Sequence, residues 1–272
     1  MLIKRLAADR LEDCLDLAAS REWLRQDHQW RLLFEVGDVY GVDAADGGLA
    51  GVVVSTQYGV QVAAIGMMLV APSYERQGLG TRLMTHALQE ARTASAWLVA
   101  TEFGQPLYER LGFRAIGWKS QFVGDYPTTP TMTSRPATTS DMTAIAGLDA
   151  EIFGAPRSEI LARLPTFCDQ LRVVDGPSGL RGYAGSWPNV GSTVIGPVLA
   201  EDPDVARALI EDLAAGIDGP IRLDLHHDQG ELVTWVEGLG VGRGSTTAVM
   251  VRGEPLPGDP SRQFATLTAA TG

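Results

Sequence analysis

A glycine-containing segment at residues 74–81 has the residue types of an anion-binding turn. It reads Tyr-Glu-Arg-Gln-Gly-Leu-Gly-Thr and lies between a predicted strand ending at Val70 and a predicted helix from Thr81 to Thr93. Backbone N–H groups at the start of a helix lack intrahelical partners, and the helix dipole adds positive potential there. Glycine has no side chain to keep a phosphate away from the backbone. The segment therefore predicts a pyrophosphate site at Gly78 and Gly80.

Two other nucleotide-binding loops do not fit this segment. A Walker loop needs a Lys-Ser/Thr pair after its second glycine, and Leu79-Gly80-Thr81 contains no lysine. A dinucleotide-binding fingerprint needs a third glycine in the pattern GxGxxG, and Leu83 stands at that position. The remaining alternative is a tight turn that binds nothing.

The elements that must position this turn follow an order that occurs twice. Residues 1–126 predict helices at 11–19, 22–36, 81–93 and 106–111 and strands at 39–42, 49–55, 61–70, 97–101 and 113–123, with a turn at Asp46-Gly47-Gly48. Residues 127–136 are rich in proline, threonine and serine, which is typical of a linker. A similar order of elements follows in residues 137–253, and residues 254–272 read as a tail rich in proline and glycine. We therefore predict two copies of one α/β unit.

Two motifs resemble those of one enzyme superfamily. Residues 67–84, Met-Met-Leu-Val-Ala-Pro-Ser-Tyr-Glu-Arg-Gln-Gly-Leu-Gly-Thr-Arg-Leu-Met, resemble the acetyl-CoA motif of the GNAT acyltransferases, and residues 107–113, Leu-Tyr-Glu-Arg-Leu-Gly-Phe, resemble their second signature. The resemblance covers roughly residues 1–125. It implies an α/β (α+β) fold of two tandem GNAT-like domains, each a mixed, mostly antiparallel twisted sheet flanked by helices. The second copy is degenerate, because residues 194–207 lack a GxG and carry Glu201, Asp202 and Asp204.

The resemblance also implies roles for individual residues. The strand backbone would bind the pantetheine arm of acetyl-CoA and the turn its pyrophosphate, through Met68, Leu69, Val70, Arg76, Gln77, Gly78, Leu79, Gly80 and Thr81. Tyr108 would protonate the leaving thiolate, and a phenol with a reference pKa of about 10 holds its proton at neutral pH. The family pattern has Gln or Arg where this chain has Glu75, so this chain departs from the pattern at that position and the phosphate contacts are expected from the backbone.

An attacking amine must first lose its proton, so a base or a water chain leading to one is required. The carboxylates and histidines that qualify are Glu102, the Asp27-His28 pair, Asp224, His226 and His227. Trp23, Trp30 and Tyr40 form either an aromatic wall over the acceptor or part of the core, since helical spacing suits both. His86, within the helix after the turn, is expected to be structural.

The charge and cysteine content exclude some classes of function. A net charge of −11 argues against a nucleic-acid partner, which needs a basic surface. The acidity either steers a cationic substrate towards the protein or simply keeps it soluble. The sequence has no apolar run of about 18 residues for a membrane span and no signal-peptide pattern, so we expect a cytoplasmic protein. We expect it to be a monomer or a homodimer. Cys14 and Cys168 form no metal-binding or disulfide pattern, and no metal is predicted.

The leading interpretation is an acetyl-CoA-dependent N-acetyltransferase that acts on a primary amine of a small cationic molecule by direct transfer in a ternary complex. The favoured acceptor is an aminoglycoside-type antibiotic, which would make the protein a resistance enzyme. Alternatives are a polyamine, another natural-product amine or a peptide as acceptor, or a non-catalytic acyl-CoA sensor. A sensor has no need of a proton donor at Tyr108.

Overall fold

The computed structural model describes residues 1–45 and 47–272 of the chain. Asp46, in the predicted turn at 46–48, lies outside the described residues. The described chain divides into two compact units: residues 1–116, 248–255 and 269–272 form the first, and residues 117–247 and 256–268 form the second. Each unit combines helices with a mixed, mostly antiparallel sheet, which confirms the predicted fold class.

The first unit contains strands β1 to β5 and helices α1 to α4. The strands are β1 (Lys4–Arg5), β2 (Asp38–Asp43), β3 (Leu49–Tyr58), β4 (Val62–Val70) and β5 (Ser95–Ala100), and the helices are α1 (Leu11–Ser20), α2 (Asp27–Val36), α3 (Leu79–Ala91) and α4 (Gln105–Arg110). The strands are ordered by number. Described neighbours are antiparallel, except that β4 and β5 are parallel. Residues 248–253 pair antiparallel with β5.

Helices cover both faces of this sheet. Leu83, Met84 and Ala87 of α3 pack in one apolar cluster with β3, β4 and β5. Cys14 and Leu15 of α1 pack in a second cluster with α2 and with alternate residues of β3. Strand β3 is therefore buried at every position except Gln57, as expected of a strand covered on both sides.

The second unit contains the remaining elements. Its strands are β6 (Arg114–Gly124), β7 (Arg135–Pro136), β8 (Gln170–Gly176), β9 (Gly179–Asn189), β10 (Ser192–Ala200), β11 (Ile221–His226), β12 (Gly242–Gly253) and β13 (Gln263–Ala265), where β6 and β12 each continue across the division into the first unit. Its helices are α5 (Met142–Phe153), α6 (Ser158–Leu161), α7 (Leu164–Phe167), α8 (Pro203–Ala214) and α9 (Gly230–Gly238). Apolar residues of α8 and α9 pack against the sheet in one cluster.

The division of the chain differs from the boundaries predicted at 126, 136 and 253. Residues 117–126, placed in the first copy, belong to the second unit, and residues 248–253, placed in the second copy by their order in the sequence, pair with β5 of the first unit. The predicted tail is also structured, because Phe264, Ala265 and Leu267 are buried. These differences arise from pairing between residues far apart in the chain, which composition does not reveal.

The predicted helix at 22–36 is shorter in the structure. Helix α1 ends in a turn in which the N–H of Trp23 donates to the carbonyl of Ala18 and Glu22 adopts a φ of +61°. A residue in the left-handed region cannot continue a helix, so α2 begins only at Asp27. No helix among residues 1–45 and 47–272 is long and apolar enough to cross a membrane.

Candidate functional site

Strands β4 and β5 separate near their carboxyl ends. They pair in parallel from Val62 to Ile65 of β4, and β4 then continues to Val70 without a further described partner in β5. The register of β4 with β3 shifts in the same region, where Met67 has a φ of +48°. This bulge leaves the side of β4 that faced β5 open beyond Ile65.

The predicted glycine turn follows β4 directly and leads into α3. Gly78 precedes the helix with a φ of +77°, and no side chain among the described residues caps the helix start. A Cβ atom at Gly80 would lie 3.0 Å from Met68 Cε and 3.3 Å from Leu107 Cδ2. Glycine at this position therefore lets the first turn of α3 lie against β4 and α4, with its backbone N–H groups free for an anion.

A cavity of about 670 Å³ occupies the gap between these elements. Nine residues predicted as ligands or as the acid line it: Met68, Leu69, Val70, Arg76, Gly78, Leu79, Gly80, Thr81 and Tyr108. Gln77 is exposed, and its side-chain amide donates to the carbonyl of Ser73 at 2.9 Å. The structure thus brings together all but one of the residues that the two motifs indicated.

The cavity lining is cationic although the chain carries a net charge of −11. Among the described lining residues are three arginines, Arg21, Arg76 and Arg110, and one carboxylate, Glu75. The nearest Arg21 and Glu75 atoms, Nη1 and Oε1, are 2.7 Å apart. The cations and the start of α3 together suit a ligand that carries several phosphates.

Tyr108 is the most buried titratable side chain among the described residues that line this cavity. Its side chain packs edge-on against Phe113, with ring centres 6.1 Å apart, and its ring lies close to Gly104, where a Cβ would be 3.0 Å away. The residue is 9% exposed, and burial raises the pKa of Tyr108 to about 12. The phenol therefore keeps its proton at neutral pH and is available as a donor.

The aromatic candidates near the acceptor separate into two environments. Trp23 lines the cavity and is 41% exposed. Trp30 is fully buried in the cluster formed by α1, α2 and β3, so its prediction as a substrate-binding residue is corrected: it is a core residue. Helical spacing suited both roles, and the orientation of α2 decides between them.

The candidate bases lie in different places. Glu102 is exposed in the turn after β5, between the lining residues Thr101 and Phe103. On α2, Asp27 and His28 are both partly buried, and Asp27 is paired with Arg31, with Nε and Oδ1 2.6 Å apart. His86 packs edge-on against Tyr40, with ring centres 4.7 Å apart, which fits a structural role.

The candidate bases of the second unit either contact other polar side chains or have a pKa that burial shifts. Asp224 pairs with Arg222, with Oδ2 and Nη2 2.6 Å apart. Burial, with Lys119 nearby, lowers the pKa of His226 to about 4, so this imidazole is a weak base at neutral pH. His227 Nε2 lies 2.8 Å from Ser120 Oγ.

Cysteine and metal chemistry find no support in the described residues. Burial raises the pKa of both Cys14 and Cys168 to about 12, so neither thiol forms the nucleophilic thiolate at neutral pH. No group of three or more histidine, cysteine or acidic side chains in the described chain is arranged to hold a metal ion.

The second unit also contains two parallel strands that separate, but a third strand lies between them. Strands β10 and β11 are parallel and pair at Thr193 and Val194 of β10. Beyond that point β13 lies between them, with Ala265 paired to Val198 of β10 and to Leu225 of β11. The gap that forms a cavity in the first unit is therefore filled here by the chain itself.

Two family profiles match the chain in the same tandem arrangement. The acetyltransferase (GNAT) family profile matches residues 6–113, and an acetyltransferase (GNAT) domain profile matches residues 145–265. The chain belongs to the GNAT superfamily. It is a tandem GNAT protein and an acyltransferase of the N-acetyltransferase type, and enzymes of this family generally use acetyl-CoA.

Known proteins resemble this GNAT chain over nearly its full length. A Bacillus subtilis (strain 168) protein described as an uncharacterized N-acetyltransferase, YitH, is 25% identical over 98% of this chain and 97% of its own. A protein from Pyrococcus horikoshii described as a candidate acetyltransferase superposes with a TM-score of 0.84, at 18% identity over 100% of this chain and 95% of its own. A tandem GNAT protein from the clavulanic acid biosynthesis pathway gives a TM-score of 0.67, at 14% identity over 93% and 99% of the two chains.

Sequence reasoning missed several residues of this GNAT cavity. Arg21, Phe103 and Arg110 line it, and none of them was a candidate. Arg110 stands two residues after Tyr108 in the second motif, which was a usable signal. Arg21 and Phe103 lie outside both motifs and reach the cavity only through the fold.

Proposed function

We propose that this GNAT protein transfers the acetyl group of acetyl-CoA to a primary amine of a small cationic molecule, with an aminoglycoside-type antibiotic as the favoured acceptor. The proposal depends chiefly on one observation: the uncapped start of α3, the open side of β4 and the buried Tyr108 line the same cavity. Transfer is direct, within a ternary complex, since both cysteine thiols are buried and protonated.

The residues of the cavity fit acetyl-CoA. The backbone of β4 at Met68, Leu69 and Val70 faces the gap left by β5 and would bind the amide groups of the pantetheine arm. The N–H groups from Arg76 to Thr81 would bind the pyrophosphate. Gly80 supports this assignment, because a side chain there would crowd Met68 and Leu107 in the cavity wall.

Acetyl-CoA, when bound, supplies an activated acyl thioester. Tyr108 would hold a proton for the departing sulfur, which its raised pKa permits at neutral pH. The attacking amine must be neutral, and Glu102 and His28 in the first unit remain the candidate bases, directly or through water. Trp23, which lines the cavity, remains a candidate acceptor contact.

The choice of acceptor rests on charge. A net charge of −11 favours the approach of a cationic amine by electrostatic steering, and acetylation of an aminoglycoside would make this a resistance enzyme. A polyamine, another natural-product amine or a peptide is the alternative. A structural neighbour at a TM-score of 0.65 is described as a fungal glucosamine N-acetyltransferase region, so amino sugars belong in the same screen. A cytoplasmic location suits an enzyme that uses acetyl-CoA and has two unpaired cysteines.

The cofactor assignment is tested by thermal unfolding with and without acetyl-CoA. We expect acetyl-CoA to raise the melting temperature of the wild type and to have no effect on Gly80→Glu, because the new carboxylate faces the phosphates and like charges cost several kcal/mol. Gly147→Glu is the matched control, since Gly147 is an exposed helical glycine of α5 with open space at its Cβ. Protection that persists in Gly80→Glu would show that the ligand binds elsewhere.

The catalytic assignment is tested by release of free CoA in a screen of amines, with Tyr108→Phe as the variant. We expect the variant to bind acetyl-CoA normally and to lose about 100-fold or more in kcat, the range for a general acid. A variant with full turnover would remove Tyr108 from the acid role. A wild type that binds acetyl-CoA but acetylates no amine in the screen would favour the non-catalytic sensor.

A further inference from the structure

An ion pair connects two segments that line the cavity. Arg21 lies just after α1, and Glu75 lies in the turn between β4 and α3; Nη1 and Oε1 are 2.7 Å apart. The Arg21 guanidinium carbon also lies 5.9 Å from the centre of the Phe103 ring. All three side chains line the cavity, so the contact is part of its wall.

The backbone around Arg21 is fixed by the end of α1. The N–H groups of Arg21 and Trp23 both donate to the carbonyl of Ala18, at 3.0 Å, and Glu22 between them takes a left-handed conformation. Trp23 lines the cavity too. The ion pair therefore joins a turn that carries Arg21 and Trp23 to the turn that carries Arg76 and Gly78.

The charge of Glu75 opposes the ligand that the cavity otherwise suits. It is the single carboxylate among the described lining residues, and it directly precedes Arg76. An unpaired carboxylate here would repel the phosphates of acyl-CoA. The side chains of Arg21 and Glu75 are 24% and 32% exposed, and ion pairs this exposed add little to folding stability. The effect of the pair is therefore expected on the ligand rather than on the fold.

We propose that Arg21 is a positioning residue of the acyl-CoA site that acts through Glu75. It neutralises the carboxylate beside the phosphate-binding turn, and so supplies from the end of α1 the positive charge that position 75 lacks. The inference rests on the proposed function, since it takes the ligand of the cavity to be acyl-CoA. The alternative is that Arg21 contacts a phosphate directly. The two cases differ in one respect: if Arg21 acts through Glu75, its loss should not weaken coenzyme A binding once Glu75 is also neutral.

A double-mutant cycle tests this distinction. The dissociation constant of coenzyme A is measured by calorimetry for the wild type, Arg21→Gln, Glu75→Gln and the double variant. We expect Arg21→Gln to weaken binding roughly tenfold and Glu75→Gln to leave it within about threefold of the wild type. The double variant should bind like Glu75→Gln, which restores most of the loss.

Arg25→Gln is the matched control. Arg25 is exposed and bonded to Glu12 and Asp16 of α1, so its loss removes an ion pair near the same turn but outside the cavity. Its coenzyme A affinity should be unchanged. Melting temperatures without ligand should stay within about 4 °C of the wild type for every variant, which separates a ligand effect from unfolding.

Three outcomes would overturn the proposal. Unchanged affinity in Arg21→Gln would leave the residue without a role in binding. A double variant as weak as Arg21→Gln would mean that Arg21 contacts the ligand itself. A wild type that binds no coenzyme A would remove the proposed function and this inference together, whereas the first two outcomes leave the proposed function intact.

Discussion

The two units differ most at the point where a pair of parallel strands separates. In the first unit β4 and β5 part after Ile65, and a cavity lies in the gap. In the second unit β10 and β11 pair at two positions, and β13 then lies between them. The same arrangement of strands thus yields an open binding site in one case and a closed core in the other. A three-residue strand makes the difference.

The helices that follow β4 and β10 also differ between the two units, because one of them has an N-cap side chain and the other does not. Helix α3 begins after Gly78, which has no side chain to cap it. Helix α8 begins after Asp202, whose carboxylate accepts from the N–H of Val205 at 2.9 Å. A capped helix start has fewer free N–H groups and a negative charge where an anion would bind. Filling of the gap and capping of the helix both argue for a single acyl-CoA site per chain.

The largest expected effect comes from placing a carboxylate in the filled gap with Ala265→Glu. Ala265 is 0% exposed and lies in the apolar core of the second unit. A buried, unpaired carboxylate should cost about 3–5 kcal/mol of unfolding free energy, measured by urea denaturation. Gly80→Glu places the same group at the wall of the open gap and should cost less, about 1–2 kcal/mol, because the new side chain crowds Met68 and Leu107 but its carboxylate is not buried in an apolar core.

Ala115→Glu is the control for this comparison, because Ala115 is an exposed strand residue of β6. It should stay within about 0.5 kcal/mol of the wild type. If Ala265→Glu is as stable as this control, β13 does not fill a packed gap, and the contrast between the units fails.

A smaller effect is expected from removing one hydroxyl in each unit. Tyr183 of the second unit is fully buried and donates to Asp149, which also binds Arg157, with Nε and Oδ1 3.0 Å apart. Tyr183→Phe should cost about 1–3 kcal/mol, because a buried charged group loses a hydrogen bond. Tyr108→Phe should change the unfolding free energy by less than about 1 kcal/mol, since Tyr108 lines a cavity and its ring, which the variant keeps, makes the contact with Phe113.

Thermal and urea unfolding of Tyr183→Phe and Tyr108→Phe measure the two changes in unfolding free energy. The informative quantity is the difference between them, since each variant loses the same atom. Equal losses of stability would mean that Tyr108 is as much a structural residue as Tyr183, and would weaken its assignment as a proton donor.

The first site was predictable because its signals are local. The strand up to Val70, the glycines at 78 and 80 and the apolar face of α3 lie within one short segment, and helix-start physics follows from their order. Tyr108 came from a second short motif. In each case the residues that carry the chemistry are close in sequence to the element that positions them.

The filled gap of the second unit and the Arg21–Glu75 contact of the cavity wall were not predictable in this way. Strand β13 is three residues long, has no readable period and lies in a segment whose proline and glycine content indicated a tail. The Arg21–Glu75 pair joins residues from separate elements, and the bulge in β4 gives a positive φ to Met67 rather than to the glycine before it. Trp30 shows the same limit on a smaller scale, since helical spacing does not reveal which side of α2 faces the core.

The smallest effect concerns the helix cap of the second unit. Asp202→Ala removes the N-cap of α8 and an ion pair to Arg181, with Nη2 and Oδ2 2.8 Å apart, and should cost about 1 kcal/mol. Asp204→Ala, which alters an exposed first-turn acid of the same helix, is the control and should cost about 0.5 kcal/mol or less. Calorimetry should still give one coenzyme A per chain in Asp202→Ala, because β13 fills the gap whether or not the helix is capped. A second equivalent of ligand in that variant would mean that the cap, and not the inserted strand, closes the second unit.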